Sequence, residues 1–132
     1  MIGGVGVDVV HIPGFREQLA DPASSFVGAT FTAGERQTCE GRPQPVASYA
    51  ARFAAKEALI KAWAGARQGQ VPELKHVDMR EVEVVQDTQG RPTLAVHGAV
   101  AAGMAKTVPG FRLHVSLSHD GDHATAFVVL EY

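Results

Sequence analysis

The segment Arg52-Phe53-Ala54-Ala55-Lys56-Glu57-Ala58-Leu59-Ile60-Lys61-Ala62-Trp63 reads as a helix whose charges lie in unusual places. At 100° per residue, the apolar and small residues around it fall on one arc. They are Tyr49, Ala50, Phe53, Ala54, Ala58, Ile60 and Ala64. Glu57 and Lys61 fall inside this arc, where a charge is costly unless a metal, a phosphate or another charge compensates it. On another side lie Arg52, Lys56 and Trp63.

Glu57 and Lys61 also have an ordinary interpretation. They stand four residues apart with the glutamate first, which is the favourable order for an ion pair on a helix surface. For an arbitrary helix this interpretation is preferred. Two other segments of the chain shift the balance toward a functional site.

The N-terminal segment predicts a strand near residues 2–10, because apolar residues alternate with small or polar ones. One face carries Val5, Val7 and Val9, and the other carries Gly4, Gly6 and Asp8. Two positions without a side chain beside Asp8 leave room for a ligand to approach the backbone. The alternative is an aspartate at a strand end that faces water. A nucleotide-binding glycine loop is less favoured, since no G-x-G-x-x-G turn leads into a helix.

The C-terminal segment predicts a hairpin, with a strand that starts at Leu113, a turn around Asp120-Gly121-Asp122 and an apolar second strand. His119 ends the face that carries the apolar residues of the first strand, whereas Ser118 points the other way. A lone histidine at such a place is more often a hydrogen-bonded core residue than a catalyst. Adjacent residues of a regular strand cannot face each other as a nucleophile and its base, but at a strand end they can bind one phosphate together.

Turn signals and periodicity predict the remaining elements. Helices are predicted near residues 13–20, 32–40, 46–64 and 99–106, strands near 81–86 and 93–97, and a loop over 66–77. Thr32 followed by Glu35 indicates a capping box at the start of the second helix. Mixed short strands and helices imply an α+β fold. The apolar final strand, Ala126 to Leu130, favours cover on both faces, of which one long helix supplies one.

Composition narrows the class of protein. The chain has 132 residues, of which 45% are hydrophobic, and this suits one domain with one core. A single cysteine, Cys39, rules out an intramolecular disulfide framework, and no Cys/His spacing indicates a metal finger. No secretory leader or membrane-spanning run is apparent, so a cytoplasmic location without a membrane partner is expected. The net charge of −2 with scattered Lys and Arg argues against nucleic-acid binding.

Three short motifs occur in a characteristic order. They are Gly4-Val5-Gly6-Val7-Asp8, Arg52 through Ala62, and Val115-Ser116-Leu117-Ser118-His119, and a strand at 81–84 with a turn at Gly90-Arg91-Pro92 lies between the last two. In this combination the chain resembles the holo-[acyl-carrier-protein] synthases of actinobacterial type, which are small 4′-phosphopantetheinyl transferases. The resemblance covers nearly the whole chain. Each motif alone is weak, whereas the ordered combination is strong.

The resemblance implies a single domain over residues 1–132, with one long helix packed on a mixed or antiparallel sheet. It also implies a homotrimer with active sites in the clefts between subunits. The implied reaction belongs to fatty acid biosynthesis and depends on Mg²⁺. A serine of an acyl carrier protein, or of the carrier domain of a fatty acid synthase, attacks the β-phosphate of coenzyme A. The products are the holo-carrier and adenosine 3′,5′-bisphosphate.

The resemblance also assigns roles to residues. Asp8 and Glu57 match the family's two metal ligands, and the catalytic set is Asp8, Glu57, Lys61 and His119. Coenzyme A contacts are implied for Arg52, Lys56, Lys61, Ser118 and His119. Lys56, on another arc of the helix, serves a different phosphate or only the surface. The base that deprotonates the serine is either Glu57 or a metal-bound water, and both stay open.

Two features depart from the family pattern. The first helix is poor in basic residues, whereas many relatives dock the acidic carrier on a basic first helix. Docking is therefore predicted to rest on Arg16, with Arg36 and Arg42 as secondary candidates and apolar contacts from Phe15 as the alternative. The loop at 65–69 also differs from the commoner glycine pattern, which puts the adenine contacts in doubt.

Two other classes of protein stay open. The chain could be a catalytically inactive trimeric interaction module of the same fold, or a sensor that binds coenzyme A without transfer. Charges kept together on apolar faces argue against a decayed site, because each costs stability.

Overall fold

The computed structural model describes all residues, 1–132, and contains five α-helices and five β-strands. In chain order they are β1 (Ile2–His11), α1 (Ile12–Ala20), α2 (Phe26–Thr30), α3 (Ala33–Glu40), α4 (Pro45–Gly65), β2 (Val82–Gln86), β3 (Pro92–Val96), α5 (Gly98–Thr107), β4 (Arg112–Asp120) and β5 (His123–Glu131). The α+β prediction is confirmed, as are the approximate positions of the predicted strands and helices. Helix α2 and a 3₁₀ turn at Met79–Glu81 were not predicted.

Three strands form the main sheet, in the antiparallel order β1-β5-β4. Strands β4 and β5 are joined by the two-residue turn Gly121-Asp122, in which Gly121 has a φ of 57°. A glycine in the first position of such a turn adopts this conformation without the strain that a Cβ would cause. Strands β2 and β3 form a separate antiparallel pair. The predicted hairpin and its turn are therefore present.

Helix α4 packs directly against one face of the main sheet. An added Cβ on Gly6 would lie well under 3.0 Å from the carbonyl oxygen of Ala58, and one on Gly4 would lie equally close to that of Ala62. Only glycine permits this approach of helix backbone to strand backbone. The prediction that the glycines leave room for a ligand is therefore wrong, because the helix fills that space.

The second side of α4 is also covered, so the predicted apolar arc is only partly correct. Ala64, placed in the arc, is exposed, whereas Arg52 and Trp63, placed outside it, are buried. The indole Nε1 of Trp63 donates to Thr107 Oγ1 at 2.9 Å, which fastens α4 to α5. Helix α4 is thus a central helix between two layers, and a single apolar stripe does not describe it.

A buried ion pair joins α4 to α3. The predicted capping box is present, because Glu35 N donates to Thr32 Oγ1 at 3.1 Å and Thr32 N donates to Glu35 Oε1 at 3.0 Å. The ammonium of Lys56 donates to the same Glu35 oxygen at 2.8 Å, and both side chains are fully buried. It also donates to the backbone carbonyls of Met79 and Val82.

All three ammonium protons of Lys56 are therefore used inside the protein. The prediction that Lys56 serves a phosphate or only the surface is wrong. The physical reason is that α3 and β2 cover this side of α4, and their acceptors compensate the buried charge.

The opposite face of the main sheet is exposed and apolar. Val5, Val7 and Val9 of β1 are each more than half exposed, and Phe127 of β5 is 46% exposed. The other face of β5 is buried under α4 through Ala124, Ala126, Val128 and Leu130. None of the helices combines the length and apolar character that crossing a bilayer requires.

Candidate active site

Asp8, Glu57 and Lys61 come together at one edge of the main sheet, as predicted. Asp8 lies on the edge strand β1, and the other two lie one turn apart on α4. The ammonium of Lys61 donates to Asp8 Oδ1 at 3.0 Å and to the carbonyl of Val7 at 2.9 Å. Lys61 thus pairs with Asp8, and the simple ion pair between Glu57 and Lys61 on one helix is not formed.

We call Asp8, Glu57 and Lys61 the carboxylate site, which places two acidic side chains near one basic side chain. Burial raises the pKa of Glu57, and the neighbouring negative charge of Asp8 raises it further, while Lys61 acts in the opposite direction. Two carboxylates with one ammonium leave a net negative charge in a half-buried place. A further cation is therefore favoured here.

The donor set fits Mg²⁺. This ion is commonly held by one or two carboxylates and completes its shell with phosphate oxygens and water. No group of three or more His, Cys, Asp or Glu side chains is placed to hold a metal by itself. Asp8 and Glu57 therefore suit an ion whose remaining ligands come from a bound phosphate, and they do not form a closed protein cage.

A second cluster lines a cleft beside β4, the opposite edge strand. Its polar residues are Arg42, Gln44, Ser48, Arg52, Gln86, Ser118 and His119. Arg52 is only 3% exposed. Its Nη1 donates to Ser48 Oγ at 2.7 Å, whereas Nε and Nη2 are buried without any hydrogen-bond partner.

Buried donors without a partner are rare and costly, and a guanidinium satisfies them best with a carboxylate or a phosphate. The chemistry of the cleft therefore favours an anionic group. Arg52, Ser118 and His119 were predicted as contacts of a phosphate-bearing ligand, and the structure brings these three together. Lys56 does not belong to this cleft.

Sequence reasoning missed several residues of this cleft. Arg42 was considered only for docking, but its guanidinium donates to Gln86 Oε1 at the cleft. Gln44 and Ser48 come from the start of α4, and Gln86 ends β2. No local pattern marks these residues, because three distant segments meet only after the two sheets pack around α4.

The two clusters stay apart within one chain. Asp8 pairs with Ala126 on the central strand, which pairs with Leu117 on β4, and His119 lies two residues further. At a strand spacing of about 4.8 Å and a rise of about 3.4 Å, the Cα atoms of Asp8 and His119 are roughly 12 Å apart. The predicted catalytic set is thus divided between the two edges of the sheet.

The candidate docking residues lie on α1 and beyond. Arg16 is exposed on α1, which follows β1 directly, and Arg36 is exposed on α3. Phe15 is 5% exposed and packs against Phe26 and Phe53. The alternative of apolar docking through Phe15 is therefore wrong, since its ring belongs to the core.

Comparison with known proteins gives a consistent result. The family model of the 4′-phosphopantetheinyl transferase superfamily matches residues 4–128. The chain is 45% identical over 129 residues to the holo-[acyl-carrier-protein] synthase of Nocardia farcinica, covering 97% of this chain and 86% of that protein. It is 46% identical over 131 residues to the synthase of Mycobacterium tuberculosis, covering 98% and 97%.

Solved structures agree with this assignment. The ACPS–CoA complex of Chronobacterium ammoniagenes superimposes with a TM-score of 0.92 at 44% identity and covers 98% of this chain and 96% of that chain. The acyl carrier protein synthase of Mycobacterium tuberculosis gives 0.80 at 43% identity, with 99% and 98% covered. The chain therefore belongs to the 4′-phosphopantetheinyl transferase superfamily, within its group of holo-[acyl-carrier-protein] synthases.

Proposed function

We propose that this enzyme transfers 4′-phosphopantetheine from coenzyme A to a serine of an apo acyl carrier protein, or of the carrier domain of a fatty acid synthase. The observation that carries the proposal is the carboxylate site, in which Asp8 and Glu57 face one ammonium, Lys61, at the edge of the sheet. The name of the relatives and the bound coenzyme A of one solved relative support it. The step belongs to the supply of active carriers for fatty acid synthesis.

Transfer from coenzyme A requires charge neutralisation on a pyrophosphate more than a protein nucleophile. The serine oxygen forms a bond to the β-phosphorus, and the bond from that phosphorus to the bridging oxygen breaks. Adenosine 3′,5′-bisphosphate leaves, and the serine proton passes to a base. Mg²⁺ bound by Asp8 and Glu57 would supply positive charge to the pyrophosphate oxygens.

The chain's own residues support this reaction in separate ways. Lys61 is 54% exposed, so its ammonium can reach a phosphate oxygen. The base that receives the serine proton is either Glu57 or a metal-bound water; without a metal ion, burial and the charge of Asp8 raise the pKa of Glu57. At the other edge, the orphan donors of Arg52 and the ring of His119 are suited to a second phosphate of coenzyme A, with Ser118 beside them.

We further infer that the functional unit is a homotrimer. The anion cleft and the carboxylate site lie at opposite edges of the sheet, with α4 between them. A neighbouring copy that brings its β4 edge to the β1 edge of the first would combine the two. The exposed valines of β1 form an apolar surface that packing of copies against one another would cover.

Recognition of the acidic carrier protein is proposed to involve Arg16. This side chain is exposed and lies eight residues beyond Asp8, on the helix that continues from β1. A rim charge acts mainly on association rate and salt dependence. Arg16→Glu should raise the KM for carrier protein and leave the KM for coenzyme A unchanged, while Arg91→Glu at the β2–β3 turn should change neither.

A mass measurement tests the transfer. The protein is incubated with coenzyme A, Mg²⁺ and an apo acyl carrier protein, and the carrier is then weighed. We expect a mass increase of one phosphopantetheine group, and none with the Asp8→Asn variant. Binding of coenzyme A without any mass increase would contradict the proposal and indicate a sensor.

A further inference from the structure

The ammonium of Lys61 occupies one of the two carboxylates, Asp8, that are proposed to hold a divalent ion. Its ammonium donates to Asp8 Oδ1 at 3.0 Å and to the carbonyl oxygen of Val7 at 2.9 Å. Asp8 is 18% exposed, whereas Lys61 is 54% exposed. Lys61 is therefore held by two polar contacts on one side and by solvent on the other.

Lys56 provides a contrast on the same helix. Its ammonium is fully buried and donates to three acceptors, so it cannot leave without exposing Glu35 to an uncompensated environment. Lys61 has no such restriction. Because water reaches the Lys61 ammonium, its contact to Asp8 can open at a smaller cost than the fully buried Lys56–Glu35 pair.

A divalent cation at Asp8 would compete with this ammonium. A metal ion and an ammonium on the same carboxylate oxygen repel each other strongly at the separation of a few ångströms that both contacts impose. Asp8 has a second carboxylate oxygen, but an ion bound there would still lie within a few ångströms of the ammonium, so ion binding is favoured when Lys61 moves off Asp8. The flexible, exposed stem of Lys61 permits that movement, and an incoming phosphate offers the ammonium a new partner.

We propose that the Lys61 ammonium competes with the divalent ion for Asp8. A phosphate-bearing substrate removes this competition by binding the ammonium. The Asp8–Lys61 pair weakens cation binding to the free protein, and binding of coenzyme A draws the ammonium away and so strengthens it. The inference rests on the proposed function in one respect, namely that Asp8 and Glu57 hold the divalent ion. It adds that metal and coenzyme A bind cooperatively because of one side chain.

Mn²⁺ binding to the full-length protein tests the competition, with the free ion measured by electron paramagnetic resonance. Without coenzyme A, we expect Lys61→Met to bind Mn²⁺ roughly tenfold more tightly than the original protein, a size typical of coupling between sites. The matched control is Lys106→Met, which removes another exposed lysine that pairs with a carboxylate, Glu73, at 2.9 Å. This control should leave the Mn²⁺ affinity unchanged.

A second measurement distinguishes displacement of the Lys61 ammonium by coenzyme A from the simple effect of removing its charge. Coenzyme A should increase the Mn²⁺ affinity of the original protein by a larger factor than that of Lys61→Met, because only the original protein has an ammonium to release. Equal factors would mean that Lys61 stays in place, and they would overturn the proposal.

The two possible failures are distinguishable. If Asp8→Asn loses Mn²⁺ binding while Lys61→Met binds it no better than the original protein, the competition is wrong and the metal site stands. If Asp8→Asn binds Mn²⁺ as well as the original protein, the metal site itself is wrong, and the competition with it. A melting curve of each variant confirms folding, which the exposure of Lys61 leads us to expect.

Discussion

Glu57 is a residue whose charge is useful at the site and unfavourable for the fold. Its carboxyl is half-buried, and burial together with Asp8 raises its pKa. The folded chain then binds the proton of Glu57 more tightly than the unfolded chain does. Stability from this group therefore falls as pH rises through the interval between the unfolded and the folded pKa.

Glu57→Gln should accordingly raise the melting temperature near pH 7 in the absence of divalent ions. The gain should shrink toward zero at a pH below the ordinary glutamate pKa, because both states are then protonated. Transfer activity should fall by about 100-fold or more, as for the loss of a charged group at a phosphoryl-transfer site. Thermal melts at both pH values and a transfer assay check this, and a lower melting temperature near pH 7 would contradict it.

For Lys56 we expect the opposite effect on stability, because its removal should destabilise the fold. Lys56→Met leaves the Glu35 carboxylate buried without its charge partner, at a cost of about 3–5 kcal/mol. The double variant Lys56→Met/Glu35→Gln should be more stable than Lys56→Met alone, since the uncompensated charge is gone, although an amide can accept only one of the two backbone hydrogen bonds, from Thr32 N and Val84 N, that the carboxylate accepts. Urea unfolding measures both.

Activity per folded molecule adds a second test of Lys56. The KM for coenzyme A should be unchanged in either variant, because the ammonium does not reach the cleft. If the KM for coenzyme A increased under conditions in which the variant is fully folded, Lys56 would contact a phosphate after all, contrary to the structure.

At the residue scale, the sequence predicted which charged residues lie together at the edge of the sheet, and their catalytic and metal-binding roles stay predictions. Asp8, Glu57 and Lys61 are acidic and basic residues on faces that would otherwise be apolar, and that pattern is visible locally. Lys56 looks equally functional in the sequence. Its true partner, Glu35, lies 21 residues earlier, and only the packing of α3 against α4 reveals that the two charges compensate each other.

At the scale of elements, the contact between β1 and α4 depends on two glycines. Gly6→Ala would place a methyl group well under 3.0 Å from the Ala58 carbonyl, and a backbone cannot yield as a flexible side chain can. We expect a loss of about 3 kcal/mol or more, at the upper end of overpacking effects. Differential scanning calorimetry measures it.

Gly28→Ala in α2 is the matched control, because no atom lies within 4 Å of the added Cβ. There the smaller entropy of the unfolded chain should raise stability by about 0.4–1 kcal/mol. If Gly6→Ala and Gly28→Ala melted alike, the close helix–strand contact would be disproved.

Helices and strands were predicted best where residues typical of their ends, such as proline and glycine, mark the boundaries. Pro45 and Gly65 bound α4, Thr32 with Glu35 starts α3, and Gly121 marks the hairpin turn. Helix α2 was missed because five residues are too few to show helical periodicity. The glycines of β1 indicated a close approach but not its partner, which a single sequence does not identify.

At the scale of the whole molecule, the division of the site between two edges predicts complementation. Asp8→Asn chains and His119→Ala chains should each be inactive. After mixing under conditions that exchange subunits, each interface has one chance in two of intact carboxylates and one in two of an intact histidine, so about a quarter of the sites should recover. Transfer assays on the mixture measure the recovery.

Light scattering supplies the independent check of assembly. A mass three times that of the 14.0 kDa chain is expected. Full activity of a monomer, or no recovery after subunit exchange has been verified, would show that one chain completes its own site.

The strand β1 has a consequence for how this protein tolerates changes in chain length. Alternate residues of this strand face different surroundings. The valines point outward, and the glycines and Asp8 point toward α4. Insertion or deletion of one codon between residues 4 and 8 would exchange the faces. Branched side chains would then meet the helix where no Cβ fits, and Asp8 would turn outward, away from Glu57 and Lys61. Length variation among descendants of this chain should therefore be confined to its loops, leaving this strand free of single-residue gaps.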